Sequence, residues 1–515
     1  MSVCAAEHHH NPTPEPRVYQ RRKPERTATY QAVQHHLESW LAQQREACPD
    51  DDPVPQYVER DLRKFLECGI LAYGFARARC DECGEDYLIA YSCKGRGVCP
   101  SCNTKRMAET AAHLVDHLFP QVPVRQWVIT LPKRLRYLCT GCTVCHGCMD
   151  AQEWRCYRMY GMPRVHGCTG VAMLQDAELT GRVLQIGLRV IERTLREQCP
   201  DAPPAAKYGG VTYIHRFGSS LNTHLHYHSC MIDGLFAQTD EGLQFYEATV
   251  LSDEVIQQAQ KKIRKRVLSL FVRRGLLTSD DAELMQAWQN GGGFSLNAEV
   301  RIEGADRQGL ERLFRYCARP IFAGERLCWQ EKDEMLIYRL RKPQHDGQTL
   351  LRLTPAEFLD RIALLIPPPR RHRHRYHGVL APNAPLREQV TNRAGLPVTG
   401  ESVVSADKPN VVESEEPAAS CLFASIWAML IARVYEINPL VCPRCGGEMR
   451  IIAFISEWEP IGRILRHIGE PDSAPEISPA RGPPDFCLEL DQSQAWSDDE
   501  VDPAPEFEYD QTVGW

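Results

Sequence analysis

The sequence predicts an α+β protein built on an antiparallel sheet, preceded by a small helical domain that carries a zinc ribbon. Three observations lead there. Helical stripes and β-rich runs follow one another without the regular strand–helix alternation of a parallel sheet. Two β-rich runs, Val211–Phe217 and His224–Ile232, lie close together, and the second ends in the turn pair Asp233-Gly234. Several of the cysteines fall in Cys-x-x-Cys pairs, the spacing of metal ligands.

Taken in order, residues 1–24 read as disordered. Apolar residues at Tyr30, Val33, Leu37, Trp40 and Leu41 recur at helical spacing over Thr27–Gln44. A second helix carries Val58, Leu62, Phe65 and Leu66 and stops at Gly69. Residues 80–102 are rich in cysteine and turns. A helix follows from about Lys105 to Phe119, closed by Pro120, so the helical zinc-binding domain spans 25–120. A domain over 121–396 opens with the strand Gln126–Leu131 and holds a long helix over Ala177–Gln198. Ser252 caps a helix that runs to Arg274, before Gly275. A further helix spans Asp306–Ala318 and is stopped by Pro320. Residues 397–419 form an acidic linker, 420–470 a helix and a CPRCGG knuckle, and 471–515 an acidic disordered tail.

The net charge of −7 hides an asymmetry. Residues 471–515 contribute −11 and residues 397–419 contribute −4, so the rest of the chain is net positive, at +8. A basic body with acidic appendages suits a polyanionic partner. There is no run of 18 apolar residues; the longest candidate, Cys421–Ala432, is too short to span a bilayer and reads as a buried helix, so no membrane partner is expected. No secretory h-region is visible at the N-terminus, so the 22 cysteines point to metal binding rather than to a disulfide framework.

Cys80-x2-Cys83 and Cys99-x2-Cys102 are separated by a ribbon-like interval. Together they predict one closed tetrahedral Cys4 zinc site, structural rather than catalytic, with Cys93 as a spare. Cys139, Cys142, Cys145 and Cys148 form three consecutive Cys-x-x-Cys steps; a cysteine-rich loop, a second zinc and an iron–sulfur cluster all remain open for them. Cys442 and Cys445 look like half of a zinc ribbon, which needs ligands from elsewhere in the chain.

In the strand HLHYHSC, His224, His226 and His228 share one face, and Leu225 and Tyr227 the other. Imidazoles two residues apart can converge on one ion, and a pair with an external ligand fits better than all three. On the helix Asp306–Ala318, Leu310, Leu313, Phe314 and Cys317 form an apolar stripe. Tyr316 falls outside it, beside Arg312 and Arg319. There a guanidinium would favour the phenolate or hold a phosphate. Lys261 and Lys265, with Lys262, Arg264 and Arg266, make a basic helix face. Arg370, Arg371, Arg373 and Arg375 make a second basic patch interleaved with His and Tyr376.

Four segments in this order resemble a known family: YSCKGRGVCPSC (91–102), IHRFGSSLNTHLHYHSCMIDG (214–234), RYCARP (315–320) and PPPRRHRHRYHGVLAPNAPLR (367–387). They look like the rolling-circle insertion-sequence transposases with an N-terminal zinc-binding domain, part of the HUH (His-hydrophobic-His) endonuclease class. The resemblance implies that His226 and His228 hold Mg²⁺ or Mn²⁺, with His215 a candidate third ligand, and that Tyr316 is the nucleophile. It also implies single-stranded DNA at element ends as substrate, a 5′-phosphotyrosine intermediate, and a cytoplasmic protein associated with the bacterial nucleoid. Some members carry two tyrosines four residues apart; the earlier position here is Arg312, which implies a single-tyrosine member. A replication initiator or relaxase with the same chemistry, or a non-catalytic zinc-dependent DNA-binding protein, are the competing readings.

Overall fold

The stripe formed by Tyr30, Val33, Leu37, Trp40 and Leu41 becomes the buried face of α1 (Ala28–Ala47). The computed structural model describes residues 22–47, 54–132, 134–135, 177–249, 251–344, 347–394, 442 and 444–481. Helix α2 (Gln56–Glu67) buries Val58, Leu62, Phe65 and Leu66, and the chain then turns through Gly69 at φ +85°, a conformation that costs glycine little. Strands β1 (Phe75–Cys80) and β2 (Asp86–Ala90) form an antiparallel hairpin. Helix α3 (Pro100–His113) starts before the expected Lys105. Pro100 takes its first position directly after Cys99, where a missing N–H costs nothing. A π-turn at Leu114–Leu118 carries the chain to Phe119.

The central part follows: β3 (Val124–Thr130), α4 (Ala177–Glu197), β4 (Gly209–Phe217), β5 (Thr223–Ile232) and the hairpin β6 (Gly234–Thr239) and β7 (Gly242–Glu247). Then come α5 (Asp253–Arg273), α6 (Ser279–Ala287), β8 (Ser295–Asn297), β9 (Arg301–Ile302) and α7 (Arg307–Cys317). The chain continues through β10 (Leu327–Gln330), β11 (Met335–Arg339), β12 (Leu350–Leu353), α8 (Pro355–Leu365), β13 (His374–Gly378) and α9 (Arg387–Thr391). It ends with β14 (Met449–Ile455) and α10 (Trp458–Ile468).

The main sheet has the order β13-β4-β5-β3-β8, with β9 also on β3, and every pairing is antiparallel. The α+β class read from the sequence is therefore the observed one. On one face, Trp127, Ile129, Ile214, Leu225 and Tyr227 pack against α4 and α5. Gly187 lets α4 approach closely: a Cβ there would sit 2.4 Å from Ile129 Cδ1. On the other face, Tyr213 and Cys230 lie under Leu310, Leu313, Phe314 and Cys317 of α7 and the end of α3. Asp233 sits at the bend between β5 and β6, where the turn pair was expected, and is fully buried. Arg125 grips it through two hydrogen bonds of 2.9 and 2.8 Å, and Arg301 adds a third at 2.8 Å, tying β3, β5 and β9 together.

The hydrophobic core does not divide at the expected boundary near residue 120. Helix α8 presents Phe358, Leu359 and Ile362 to the same core as α1 and α2, and Trp40 Nε1 donates to Asp360 Oδ1 at 2.8 Å. Strands β10–β12 and α8 thus pack with the N-terminal helices, because the apolar stripe of α8 finds its partner there. Strand β14 pairs with β1 to give a β14-β1-β2 sheet, and Ile461 and Leu465 of α10 cover Leu71 and Phe75. The tail, expected to be disordered from 471, runs along α1 as far as 481. There Ser478 N donates to Gln34 O, and Arg481 N to Ser39 Oγ. Residues 1–21, the linker 397–419, Cys421–Ala432 and 482–515 lie outside the described residues. Among the described residues no helix is long and apolar enough to cross a membrane.

Candidate active site and cysteine centres

Strand alternation places His226 and His228 on the face of β5 opposite Tyr227, and β4 brings His215 directly across from His226. The ligating atoms of His215, His226 and His228 lie within 4.8 Å of one another, and all three side chains are buried. Each ring has one nitrogen held by the protein. His215 Nε2 donates to Cys317 O at 2.6 Å, His226 Nδ1 donates to His224 O at 3.1 Å, and His228 Nδ1 lies 2.9 Å from the Gln126 amide. His215 Nδ1 is buried and makes no hydrogen bond. Burial, with help from the nearby Arg319 charge, holds the pKa of His215 down at about 3. Burial also holds His226 and His228 well below the ordinary imidazole value. The three rings are neutral at pH 7, the form that offers a lone pair to a cation. His224 stacks edge-on against His226 but is not part of the three-residue group.

Helix α7 closes this pocket. Its apolar stripe buries Leu310, Leu313, Phe314 and Cys317, which leaves Tyr316 half-buried at the edge. The Tyr316 ring meets the His228 ring edge-on with centroids 5.6 Å apart. The Arg319 guanidinium lies over the Tyr316 ring at 4.6 Å and near Phe217 at 5.7 Å. Arg312, expected beside Tyr316, is exposed on α7. Tyr227, on the other face of β5, points into the opposite core and donates to Thr180 O at 3.0 Å. Tyr376 sits at the sheet edge under Arg387, hydrogen-bonded to His374 at 3.1 Å.

The expected Cys80–Cys83–Cys99–Cys102 site does not form. The structure splits these residues between two clusters. Cys99 and Cys102 join Cys68 and Cys93, with Sγ–Sγ separations of 3.5–3.7 Å. Cys80 and Cys83 join Cys442 and Cys445, at 3.4 and 3.5 Å. The ribbon spacing misled because β1 and β2 carry the first pair away from α3, which fixes the second. Cys93, set aside as a spare, is a full member, and Cys68 carried no pair signal at all. Arg22 donates to the Cys68 sulfur at 3.5 Å and Gly95 N to the Cys93 sulfur at 3.2 Å. The Asp61 carboxylate holds the backbone N–H groups of Gly97 and Val98. The run Cys139, Cys142, Cys145, Cys148 lies outside the described residues.

The basic residues separate into two groups. Lys261 and Lys265 are exposed on α5, in the layer on the sheet face away from the histidines. Arg264, read as part of that face, is buried instead and donates to the carbonyl of Trp288 at 3.1 Å. Arg370 and Arg371 are exposed just before β13, where Arg96 reaches the Arg371 carbonyl. Arg373 is half-buried and donates to Asn103 Oδ1 at 2.7 Å. Burial, then the charges of Arg106 and Arg96, lowers the pKa of Arg373 to about 9. Burial, with Arg371 and Arg375 adding to it, lowers that of Arg216 to about 10. Arg96 and Arg106 were expected beside the first cysteine site, with Lys94 and Lys105, whereas Arg216 escaped the sequence reading because it stands alone between His215 and Phe217, apart from the basic runs. Gln126 escaped it too, although a lone amide in the apolar run QWVITL is a visible anomaly.

Two family models match the chain. One, described as "Transposase zinc-binding domain", covers residues 32–131, and one, described as "Putative transposase", covers residues 209–387. No curated protein and no solved structure matches. The first range contains Cys68, Cys93, Cys99 and Cys102, and the second contains the three histidines and Tyr316.

Proposed function

We propose that this chain, which belongs to the rolling-circle insertion-sequence transposases with an N-terminal zinc-binding domain, cuts and rejoins single-stranded DNA with Tyr316 as its nucleophile. The observation that carries the reading is the Tyr316 ring set edge-on against His228, next to three converging imidazoles.

The donor set fits a divalent cation. His215 offers a buried Nδ1 with no hydrogen-bond partner, and His226 and His228 would ligate through Nε2, since their Nδ1 atoms are engaged. Gln126 can turn its amide so that its oxygen accepts from His228 Nδ1, because amide O and N are assigned only from the network. Three imidazoles suit Mn²⁺ better than Mg²⁺, a harder ion that prefers oxygen. When bound, the cation would polarise the scissile phosphate and stabilise its developing charge.

The residues of the chain do the rest. Arg319 is placed to hold a phosphate oxygen while it flanks Tyr316. Tyr316 Oη bonds to phosphorus, the P–O3′ bond breaks, and the phenolic proton is lost as the departing 3′ oxygen gains one. The product is a 5′-phosphotyrosine with a free 3′-OH. The reverse step, with a new 3′-OH, rejoins a strand without ATP, since the bond energy is kept. Arg319 and Arg373, whose charges reach His215, gather positive charge near the site and suit the backbone of a single strand. Cys68, Cys93, Cys99 and Cys102 hold a structural zinc. Their separations are close to the about 3.8 Å expected between sulfurs around an ion at about 2.3 Å. Helix α3 starts at this cluster and packs its far end against α7, so the zinc would help to place the catalytic helix.

A labelled single strand from the element's end, incubated with Mn²⁺, should give a denaturation-resistant adduct that maps to the peptide containing Tyr316. An adduct on another residue would overturn the assignment.

A further inference from the structure

We infer that Cys80, Cys83, Cys442 and Cys445 bind a second zinc ion, which closes residues 444–481 onto the N-terminal domain. Cys80 and Cys83 fall within the matched zinc-binding range 32–131, but neither matched range includes Cys442 or Cys445, so half of this site lies outside what the family models cover.

The first support is geometric. Cys80 Sγ lies 3.4 Å from Cys445 Sγ, and Cys83 Sγ lies 3.5 Å from Cys442 Sγ. All four cysteines are free thiols. Disulfide sulfurs sit about 2.05 Å apart, so neither contact is such a bond. Four sulfurs this close, each pair contributed by a different segment, match the edge of about 3.8 Å of one tetrahedral thiolate site.

The second support is independent of the sulfurs. The two Cys-x-x-Cys-Gly turns share the same backbone hydrogen bonds. Cys80 N donates to Glu85 O at 2.9 Å, and Cys442 N donates to Gly447 O at 2.8 Å. Gly84 N donates to Cys80 O at 3.1 Å, and Gly446 N donates to Cys442 O at 2.8 Å. Gly84 and Gly446 take φ of +73° and +79°, which closes each turn after its second cysteine. Gly447 N also donates to Cys445 Sγ at 3.4 Å. Two matching knuckles facing one another build a zinc ribbon; four thiolates suit Zn²⁺ or iron, and the zinc-binding description of the range that holds Cys80 and Cys83 favours Zn²⁺.

The knuckles are also complementary in charge. The first carries Asp81, Glu82 and Glu85. The second carries Arg444, and Arg450 follows it. Arg444 pairs with Glu85 at 2.8 Å and Arg450 with Asp81 at 2.7 Å. These pairs are exposed, so their role is registration rather than stability. The segment beyond the knuckle is built in: β14 pairs along β1, α10 covers Leu71 and Phe75, and residues up to 481 run along α1. The zinc would thus join segments some 360 residues apart, with the DNA-processing sheet inserted between the two halves of one domain.

The test is metal counting on the intact protein by native mass spectrometry and elemental analysis. The wild type should hold two zinc ions. Cys445→Ser, at the exposed corner, should hold one. Cys445→His, which keeps a ligand, should hold two. Hydrogen exchange of Cys445→Ser should rise over 444–468 and stay unchanged over 93–113, which separates loss of this ion from general unfolding. One zinc in the wild type, iron in place of zinc, or two zinc ions retained in Cys445→Ser would each overturn the inference. The count does not depend on DNA cleavage, so it stands or falls apart from the catalytic reading.

Discussion

Strand β5 presents two faces of the same central sheet, and they are built from opposite materials. Leu225 and Tyr227 look into an aliphatic layer formed with α4 and α5. His226 and His228, two atoms of backbone away, look into a layer that holds a third imidazole, the Gln126 amide and the Cys230 and Cys317 thiols. Both faces are equally dry. Burying a polar group costs free energy unless it is matched, so the histidine face is the more expensive one to fold. The proposed cation would supply that match for the imidazoles. On the proposed function, the apolar face stabilises and the polar face gives up some of that stability for chemistry.

Tyrosine provides the sharpest way to break this comparison. On the polar face, Tyr316→Phe keeps the ring against His228 and removes the oxygen proposed as the nucleophile. Cleavage should fall by on the order of 10⁴ or more, as for other nucleophile deletions. DNA binding, measured by filter retention, should be unchanged. A covalent adduct that survives in this variant would place the chemistry elsewhere.

The imidazoles come next. His215→Ala, His226→Ala and His228→Ala should each remove Mn²⁺-dependent cleavage. Gln126→Met should instead weaken Mn²⁺ binding by about 10- to 100-fold, as expected of an outer-shell partner. Titration calorimetry with Mn²⁺ reads both effects. If His224→Ala is the inactive variant and His228→Ala remains active, the ligand pair is shifted by one step along β5.

How much of this was legible beforehand follows from range. Helices α1, α2, α4, α5 and α7 could be read because each depends on neighbours three or four residues away. The shared face of His226 and His228 could be read because strand alternation is local as well. The position of His215 opposite His226 was only a candidate, since pairing of β4 with β5 had to be assumed. The cysteines failed for the same reason in reverse. Cys80 pairs with a residue far down the chain, and the nearby Cys99 offered a plausible local partner. Nothing in the surroundings of Cys68 marks it as a ligand. The packing of α8 on α1 was equally invisible, because an apolar stripe states that a partner exists and not which one.

On the apolar face, Gly187→Ala should destabilise the protein by about 1–3 kcal/mol, the usual cost of overpacking, because its Cβ would meet Ile129 Cδ1 at 2.4 Å. Cleavage per folded molecule should not change. Denaturant melts compared with single-turnover assays would separate the two. At the sheet edge, burial lowers the pKa of His374 and of His377 to about 4, helped by His372 and by Arg375 respectively. The unfolded chain would bind these protons near pH 6.5, before the folded one does. Their contribution to stability is therefore complete above pH 6.5 and is lost as pH falls toward 4. Thermal melts from pH 7 to 4 should show a steady decline, reduced in His377→Gln.

The smallest effect is the most informative about the faces. Tyr227 and Tyr316 are both phenols near the histidine strand, and Tyr227 lies between two of the proposed ligands in sequence. Its hydroxyl donates to Thr180 O at 3.0 Å, inside α4 and on the far side of the sheet. A carbonyl within a helix also accepts from the N–H four residues on, so losing this bond leaves no bare acceptor. Tyr227→Phe should cost about 1 kcal/mol, the net value of one hydrogen bond. It should leave both the adduct yield and the Mn²⁺ dependence of cleavage as they are. The same atom removed from the same residue type would then silence one face and barely touch the other. If Tyr227→Phe lowers cleavage tenfold while the melt is unchanged, the hydroxyl reaches the reaction, and the division of the sheet into a structural and a chemical face is wrong.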